Sequence, residues 1–398
     1  MALGMEQETY PVTNSWIGVH SRLNGSQNQS AYEFFNNGST YYEEVGTIEA
    51  TPPQAEVSPV ELFSKVAVIA LNIVMTLIGN IIVIAIIIRN KHMRTATYYY
   101  LMNLAVADII IAVFSEWTYL WGSLTNSWPI GGFMCRCSTF VQGLSVHVSI
   151  LSLVVVAGDR YVAILHPIKS RVIKRNAWLV IAAVWLIASA INVPTLYYTH
   201  FLKYTWDNGV TVFYCFEHWG ELDNKEIYRA KEIYSTIAFV VVYVLPLLIL
   251  LVTYIRIGQT LSSRSTSGPG VAIQTTISAQ DRSRRKVVRM LIVVVLAFAL
   301  CWLPFHVYTL TIHWGTGSNR DVDFGLLWLG YANSAMNPFI YCGFNENFRR
   351  GFRYAFTGQW CFRRPRQTKV PIGAPTKSTV TTFTHSDHVD PTTLESML

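Results

Sequence analysis

The chain has 398 residues, of which 51% are hydrophobic and only 14% are charged. Soluble globular proteins carry about 25% charged residues, so the composition favours a membrane protein over a soluble one. The net charge of +7 could indicate a nucleic-acid partner, but the basic residues lie beside apolar blocks, where they reflect membrane topology. We therefore expect no nucleic-acid binding.

Residues 1–62 form a polar N-terminal segment rich in Asn, Ser, Thr and Glu. Its low hydrophobicity predicts a disordered tail. Asn24, Asn28 and Asn37 each begin an N-x-S/T sequence, which predicts glycosylation if the tail lies outside the cell. The alternative explanation is chance, because an Asn- and Ser-rich segment produces such sequences readily.

Seven apolar blocks follow the tail, and each is about as long as a bilayer-spanning helix requires. They cover approximately residues 63–89, 98–121, 134–158, 177–198, 233–257, 287–313 and 324–343. We therefore predict an all-α membrane protein, a bundle of seven transmembrane helices over residues 63–343. Basic residues cluster after the first, third and seventh blocks and before the sixth, so the positive-inside rule predicts an extracellular N-terminus and a cytoplasmic C-terminus. We expect this multi-pass protein in the plasma membrane.

An acidic residue, Asp108, lies inside the second block. Ionisable groups at membrane depth are costly and indicate a functional site by default. The alternative is a purely structural hydrogen bond between Asp108 and Asn80 of the first block.

The third block places two chemically distinct groups at its ends. Cys135 stands at its outer edge and Asp159-Arg160-Tyr161 at its inner edge, roughly 37 Å apart along a helix. One helix would therefore hold a thiol at one membrane face and an ion pair at the other. Cys215 also lies at an outer edge, where oxidising conditions permit a disulfide with Cys135, and Cys137 is the alternative partner.

Prolines lie inside three later blocks, at Pro246, Pro304 and Pro338. They predict kinks or hinges, although prolines are also generally common in membrane helices. Between the blocks, we expect a long aromatic loop over 199–230 and a flexible cytoplasmic loop over 258–286.

Aromatic residues recur at every fourth position after the seventh block, at Phe344, Phe348, Phe352 and Phe356. This spacing places them on one face of a helix over 344–357. It predicts an amphipathic helix that lies on the lipid of the inner leaflet. The remaining tail, 358–398, is predicted to be disordered.

Three features of this tail suggest modification or partners. Cys361 is positioned for palmitoylation, or is a simple cytosolic thiol. Ser396-Met397-Leu398 fits the pattern that PDZ domains bind, a pattern that also arises by chance. The Thr-rich run at 379–384 offers phosphorylation sites for arrestin docking, or reflects composition alone.

These motifs, in this order and each in its own block, resemble those of the rhodopsin-like (class A) G-protein-coupled receptors over about residues 63–357. The motifs that carry the resemblance are Gly79-Asn80, Leu104 with Asp108, Cys135, Asp159-Arg160-Tyr161, Trp185, Pro246 with Tyr254, Phe298 with Cys301-Trp302-Leu303-Pro304, and Asn337-Pro338 with Tyr341. Within that family, Gln142 and the stretches 140–145, 301–306 and 344–352 resemble the neuropeptide Y, neuropeptide FF, kinin and tachykinin-like receptors.

The resemblance implies a signalling mechanism. Arg160 would pair with Asp159 at rest and turn toward the G protein and Tyr254 when the sixth helix moves outward. A guanidinium suits this role because it stays charged and offers five donors. Many relatives restrain this arginine with an acid at the position of Arg284, so that restraint is expected to be absent here. The other implied switch residues are Tyr161, Phe298, Trp302, Pro304, Pro338 and Tyr341.

The resemblance also implies a sodium site in the middle of the bundle. Its residues would be Asp108, Ser149, Asn333 and Asn337, with Trp302 beside them. A carboxylate together with hydroxyls and amides suits a hard cation that prefers oxygen ligands. We expect no other cofactor.

Two positions bear on the ligand class. Receptors of this fold for amines use an Asp where this chain has Gln142, and opsins use a Lys where it has Tyr331. This chain therefore lacks both the residue that defines amine receptors and the residue that defines opsins. The expected ligand-binding residues are Gln142, Glu116, Glu232, Trp302, Phe305, His306, Thr309 and Tyr331.

Acidic residues gather around the predicted outer mouth, namely Glu116, Glu217, Glu221, Glu226, Glu232, Asp321 and Asp323. Such a surface attracts a basic ligand, so we expect a basic and amidated neuropeptide. The alternative is that these acids only solvate the loops. Glu116 is a departure from the family pattern, because many peptide receptors kink the second helix with a proline there.

The sequence therefore predicts a receptor for an extracellular neuropeptide that signals through a heterotrimeric G protein, with the Gq class and calcium favoured over Gi. No nucleophile–base pair or metal set accompanies the spans, so we expect no enzyme. One alternative is a constitutively active or non-peptide receptor of the same fold, which Arg284 favours. Another is a polytopic transporter, but such proteins show internal repeats, and this sequence has none.

Overall fold

The computed structural model describes residues 30–36, 39–45, 58–125, 127–166, 176–205, 211–217, 219, 225–266, 271–313 and 319–357. The helices within them are α1 (Pro59–Arg89), α2 (Ala96–Thr125), α3 (Gly132–Leu165), α4 (Ala177–Tyr198), α5, α6 (Val271–His313), α7 (Arg320–Phe344) and α8 (Glu346–Phe356). Helix α5 consists of three consecutive pieces, Lys225–Ala238, the π-helical Phe239–Val244, and Leu245–Thr266. Four strands form one antiparallel sheet in the order β2-β1-β3-β4, with β1 at Ser30–Asn36, β2 at Ser39–Val45, β3 at Thr199–Thr205 and β4 at Thr211–Glu217.

The helices α1 to α7 form a bundle with α3 near its centre. In the described part of the chain, α1 to α6 are each long and apolar enough to cross a membrane. The 25-residue α7 packs against α1 and α6, while α3 packs against α2, α4 and α5. Large apolar side chains such as Trp178 and Leu186 point outward and are exposed, as expected for helices whose outer faces lie in lipid. The predicted all-α seven-helix bundle is confirmed.

Two helices extend well beyond the predicted spans, and this corrects the flexible loop expected over 258–286. Helix α5 continues to Thr266 and α6 already begins at Val271. The one proline of this stretch, Pro269, is flanked by two of its three glycines, Gly268 and Gly270. The residues before Ser267 and after Gly270 are helical, since a Ser- and Thr-rich composition weakens a helix only slightly.

The start of the bundle also differs from the prediction. Helix α1 begins at Pro59, four residues before the predicted boundary at 63, because the Ser58 side chain caps the helix by accepting a hydrogen bond from the Glu61 backbone N–H. Upstream, the predicted disordered tail contains strands β1 and β2. Strand β1 pairs with β3, at Glu33 with Lys203 and at Phe34 with Leu202. Composition alone cannot predict such pairing, because the partner strand lies far away in the chain.

The aromatic residues of α8 do not all face outward, contrary to the prediction that they lie on lipid. Phe348 is fully buried against Tyr98 and Tyr341, with ring centroids 6.0 and 5.3 Å away, whereas Phe356 is 74% exposed. Gly351 allows this close docking, since a Cβ there would lie 2.5 Å from a side-chain carbon of Ile86. One part of the stripe therefore anchors α8 to the bundle, and only the rest is free to meet lipid.

Candidate functional site

A disulfide joins the start of α3 to strand β4. Cys135 at the start of α3 forms a disulfide with Cys215 of β4, with their Cα atoms 5.6 Å apart. Cys137 remains a free thiol, so the alternative pairing through Cys137 is excluded. The β3–β4 hairpin, which occupies part of the predicted loop 199–230, is thereby held over the helices.

The predicted contact residues of α3 and α7 meet beneath this hairpin. The hydroxyl of Tyr331 on α7 donates a hydrogen bond to Oε1 of Gln142 on α3, at 3.1 Å. Tyr331 is completely buried, and the ring of Tyr119 on α2 packs against it edge to face at 6.0 Å. Gln142 and Tyr331, which stand where amine receptors need an Asp and opsins a Lys, thus form one neutral hydrogen-bonded pair.

Glu116 lies inside the bundle, which corrects its predicted place at the outer mouth. It ends a π-helical turn of α2, Ala112–Glu116, and is fully buried. Its Oε2 accepts a hydrogen bond from Nδ2 of Asn72 on α1 at 2.9 Å, while Oε1 has no hydrogen-bond partner among the described residues. A π-turn inserts one extra residue and rotates those that follow, so this turn stands where relatives place a proline.

An aromatic wall from α5 and α6 faces the same region. On α6, Trp302 lies about one turn beyond Phe298, and Phe305 and His306 lie about two turns beyond it. The ring of His306 packs against Tyr243 of α5 with centroids 4.8 Å apart. Pro304 lies within α6 among them. The predicted switch residues therefore contact the predicted pocket residues directly.

Two further predicted contact residues lie higher on the same side. Thr309 is half-buried and its hydroxyl donates to the Phe305 carbonyl at 2.9 Å. Glu232 on α5 is also half-buried. Thr309 and Glu232 therefore stay predicted ligand contacts.

A basic residue that was not singled out from the sequence, Lys65, lies among the acidic residues of the predicted outer mouth. Lys65 on α1 lies 2.5 Å from Oε1 of Glu61 and 3.1 Å from Oδ1 of Asp321. The predicted rim acid Asp321 is therefore already paired. The spacing of Glu61 and Lys65 by four residues is a sequence signal that could have indicated one of these contacts. The side chains of Glu221 and Glu226 lie outside the described residues.

An oxygen-rich cluster lies in the middle of the bundle. Asp108 is buried, and its Oδ2 accepts a hydrogen bond from Nδ2 of Asn337 at 2.9 Å. The Asp108 Oδ1, Asn333 Oδ1 and Asn337 Oδ1 atoms have no hydrogen-bond partner among the described residues. Ser149 donates to the Ser145 carbonyl at 2.8 Å.

The purely structural alternative predicted a hydrogen bond between Asn80 and Asp108, but the amide nitrogen of Asn80 donates elsewhere. Its amide nitrogen donates to the carbonyls of Thr76 and Ser334 at 3.0 and 3.1 Å. The neighbouring Gly79 is in tight contact with α7, since a Cβ there would lie 2.7 Å from Cγ of Pro338. Asn80 and Gly79 therefore tie α1 to α7, and Asp108 is held by α7 itself.

The predicted ion pair is present at the inner end of α3. The guanidinium of Arg160 lies 2.6 Å from Oδ2 of Asp159. The hydroxyl of Thr97 on α2 donates to Asp159 and accepts from Arg160. Thr97 is buried and was not identified from the sequence, because nothing in a lone threonine signals its partner. Arg284 lies in α6, but its side chain is outside the described residues.

Other predicted switch residues lie in apolar surroundings on α3, α5 and α7. Tyr161 and Tyr254 pack with Ile164 of α3 and Ile257 of α5 in one apolar cluster. On α7, Tyr341 is completely buried. The cluster joins α3, α5 and α6, which contributes Val288, whereas Tyr341 packs on Phe348 of α8 with ring centroids 5.3 Å apart.

Several predicted sites lie outside the described residues. They are the glycosylation sites Asn24, Asn28 and Asn37, the acylation site Cys361, and the C-terminal Ser396-Met397-Leu398. These predictions remain predictions.

Comparison with known proteins places this architecture among receptors. Residues 79–341 match the family described as 7 transmembrane receptor (rhodopsin family). The neuropeptide FF receptor 1 of Rattus norvegicus is 33% identical over 379 residues, which are 90% of this chain and 82% of the relative. The substance-P receptor of Aquarana catesbeiana is 35% identical over 292 residues, 73% of this chain and 69% of the relative. The neuropeptide FF receptor 2 of Mus musculus is 32% identical over 300 residues, 71% of this chain and 70% of the relative.

Proposed function

Because the chain belongs to the rhodopsin family of seven-transmembrane receptors, we propose that it binds an extracellular neuropeptide and signals through a heterotrimeric G protein. It is a multi-pass membrane receptor and not an enzyme. Similar receptors are named for neuropeptide FF and substance P, which supports a peptide as the ligand.

The observation that carries the proposal is the hydrogen bond between Tyr331 and Gln142. It puts a neutral pair where an amine receptor needs a carboxylate and an opsin needs a lysine. An amide side chain both donates and accepts hydrogen bonds, so Gln142 matches the N–H and C=O groups of a peptide backbone or a terminal carboxamide.

Glu116 supports a basic residue in that peptide. Its Oε1 is buried and has no hydrogen-bond partner among the described residues, so it can accept a hydrogen bond from a ligand. A guanidinium would supply both the opposite charge and the donor. Glu232, half-buried on α5, would add negative charge above it.

We further propose that sodium modulates the receptor through the Asp108 cluster. Three buried oxygens without a hydrogen-bond partner, from Asp108, Asn333 and Asn337, suit a hard cation. No group of three or more His, Cys, Asp or Glu occurs among the described residues, so the donor set does not favour a transition metal.

Signalling would follow from a population shift between two packings of α6. In the second packing Arg160 leaves Asp159 and Thr97 and meets the G protein. We favour the Gq class, with calcium release, over Gi.

The test is a calcium and cyclic-AMP readout in cells that express the chain, against a library of amidated peptides. We expect at least one peptide that contains arginine to raise calcium. An Arg160→Ala variant at equal surface expression should still bind that peptide but should not signal. A high basal signal with no response to any peptide would contradict the proposal and favour a constitutively active receptor.

Thr97→Val is expected to raise the basal signal about fivefold. Valine keeps the shape of the side chain but removes both hydrogen bonds to the Asp159–Arg160 pair. Two hydrogen bonds that involve charged groups stabilise the resting packing by on the order of 1 kcal/mol or more, and the equilibrium shifts accordingly. The measurement is inositol phosphate accumulation without ligand at matched surface expression.

The control is Thr125→Val, which makes the same change at an exposed position at the outer end of α2. It should leave the basal signal unchanged. A Thr97→Val variant with wild-type or lower basal signal would show that Thr97 does not restrain Arg160.

A further inference from the structure

We propose that Lys65 is a positioning residue for ligand binding. It clasps the outer ends of α1 and α7 together and, through a chain of aromatic rings, holds Tyr331 in place to bond Gln142. The ligand-binding consequence rests on the proposed function, whereas the clasp itself does not.

The clasp is an ammonium with three partners. Lys65 Nζ contacts the carboxylates of Glu61 and Asp321, and it lies 5.1 Å from the ring centroid of Phe324. The Lys65 side chain is only 7% exposed, whereas that of Asp321 is 79% exposed. A buried ammonium is costly unless it is paired, and two of its three partners belong to α7. Separation of α1 from α7 would therefore leave this charge with Glu61 alone.

A chain of rings connects the clasp to the ligand site. Phe324 stacks on Tyr119 with centroids 5.8 Å apart and planes 12° from parallel. Tyr119 meets Tyr331 edge to face at 6.0 Å, and the Tyr331 hydroxyl reaches Gln142. Aromatic rings in such contact are rigid and closely packed. The position of Phe324 beneath Lys65 therefore sets the position of Tyr331.

Loss of the clasp should lower the fraction of receptors whose pocket is preorganised, and the apparent affinity falls with that fraction. We expect Lys65→Met to weaken binding of an amidated peptide with a C-terminal Arg-Phe about fivefold, the effect of one partly buried ion pair with its cation–π contact. Binding of the same peptide with citrulline in place of arginine should weaken by the same factor, because Lys65→Met is expected to act through the geometry of the pocket and not through an interaction with the peptide's charge. Lys65→Arg should retain wild-type affinity.

The matched control is Lys91→Met, which removes the same charge from an exposed position just after α1, at the opposite end of that helix. It should change neither affinity. If Lys65→Met instead tightens binding of the arginine peptide alone, Lys65 acts as an electrostatic screen and the positioning role is overturned. Unchanged binding of both peptides overturns it as well.

A ligand-free measurement separates the clasp from the proposed function. We expect Tyr331→Phe to lower the unfolding temperature of the purified receptor, and this loss to shrink by roughly half in the Lys65→Met background, as for coupled sites. Additive losses would overturn the clasp. If no peptide binds the wild-type chain, the proposed function fails, and this cycle still decides whether Lys65 positions Tyr331.

Discussion

Replacing Cys215 with serine is expected to remove most peptide binding and to lower the unfolding temperature of the receptor. The disulfide to Cys135 closes a separation of 80 residues, and loss of a native disulfide typically costs about 2–5 kcal/mol. The remaining attachments of the hairpin are weak. They include a 2.6 Å hydrogen bond from the Trp128 backbone N–H to the Phe213 carbonyl and a 3.1 Å hydrogen bond from the Arg136 side chain to the Thr199 carbonyl.

Strand β4 is an edge strand of the four-stranded sheet, so without the bridge it should leave its place over the pocket more readily. Binding of a labelled peptide and thermal unfolding of purified receptor would measure the loss. Cys137→Ser serves as the control, because Cys137 lies two residues from Cys135 and is free. If Cys137→Ser caused as large a loss as Cys215→Ser, the outer bridge would not be the one described.

Glu116→Gln is expected to lower the binding affinity for an arginine-containing amidated peptide by at least about 30-fold, as for a buried charge pair that loses one partner. Glutamine keeps the side-chain shape and an oxygen that can accept from Asn72. It removes the negative charge in a site that excludes water, where Glu116 is fully buried. The citrulline analogue of the peptide should lose only a few-fold, because it carries no charge to pair.

Competition binding with both peptides at equal surface expression measures this difference. Glu346→Gln makes the same chemical change at an exposed position on α8, on the opposite side of the bundle, and should change neither affinity. Equal losses for the two peptides in Glu116→Gln would mean that Glu116 supports the fold and does not recognise the ligand's charge.

Much of the architecture follows from rules that a sequence displays directly. A membrane demands long apolar helices, so the seven spans could be predicted, and the fourth helix, Ala177–Tyr198, has the predicted bounds. The Asp159–Arg160 pair could also be predicted, since adjacent residues of opposite charge need no tertiary information. The choice of Cys215 over Cys137 could not be derived from position alone, because both thiols lie near the outer edge.

The sequence by itself determined the bundle, its motifs and the absence of the residues that amines and retinal require. Only the tertiary structure decided where individual polar groups point and what they meet. Glu116 is buried at the end of a local π-turn, and hydrophobic periodicity does not reveal the change of helical register that such a turn brings. Lys65 and Asp321 meet across 256 positions of the chain, and Thr97 reaches Arg160 across 63. Such contacts depend on how helices pack side by side, and no local pattern in the chain encodes that packing.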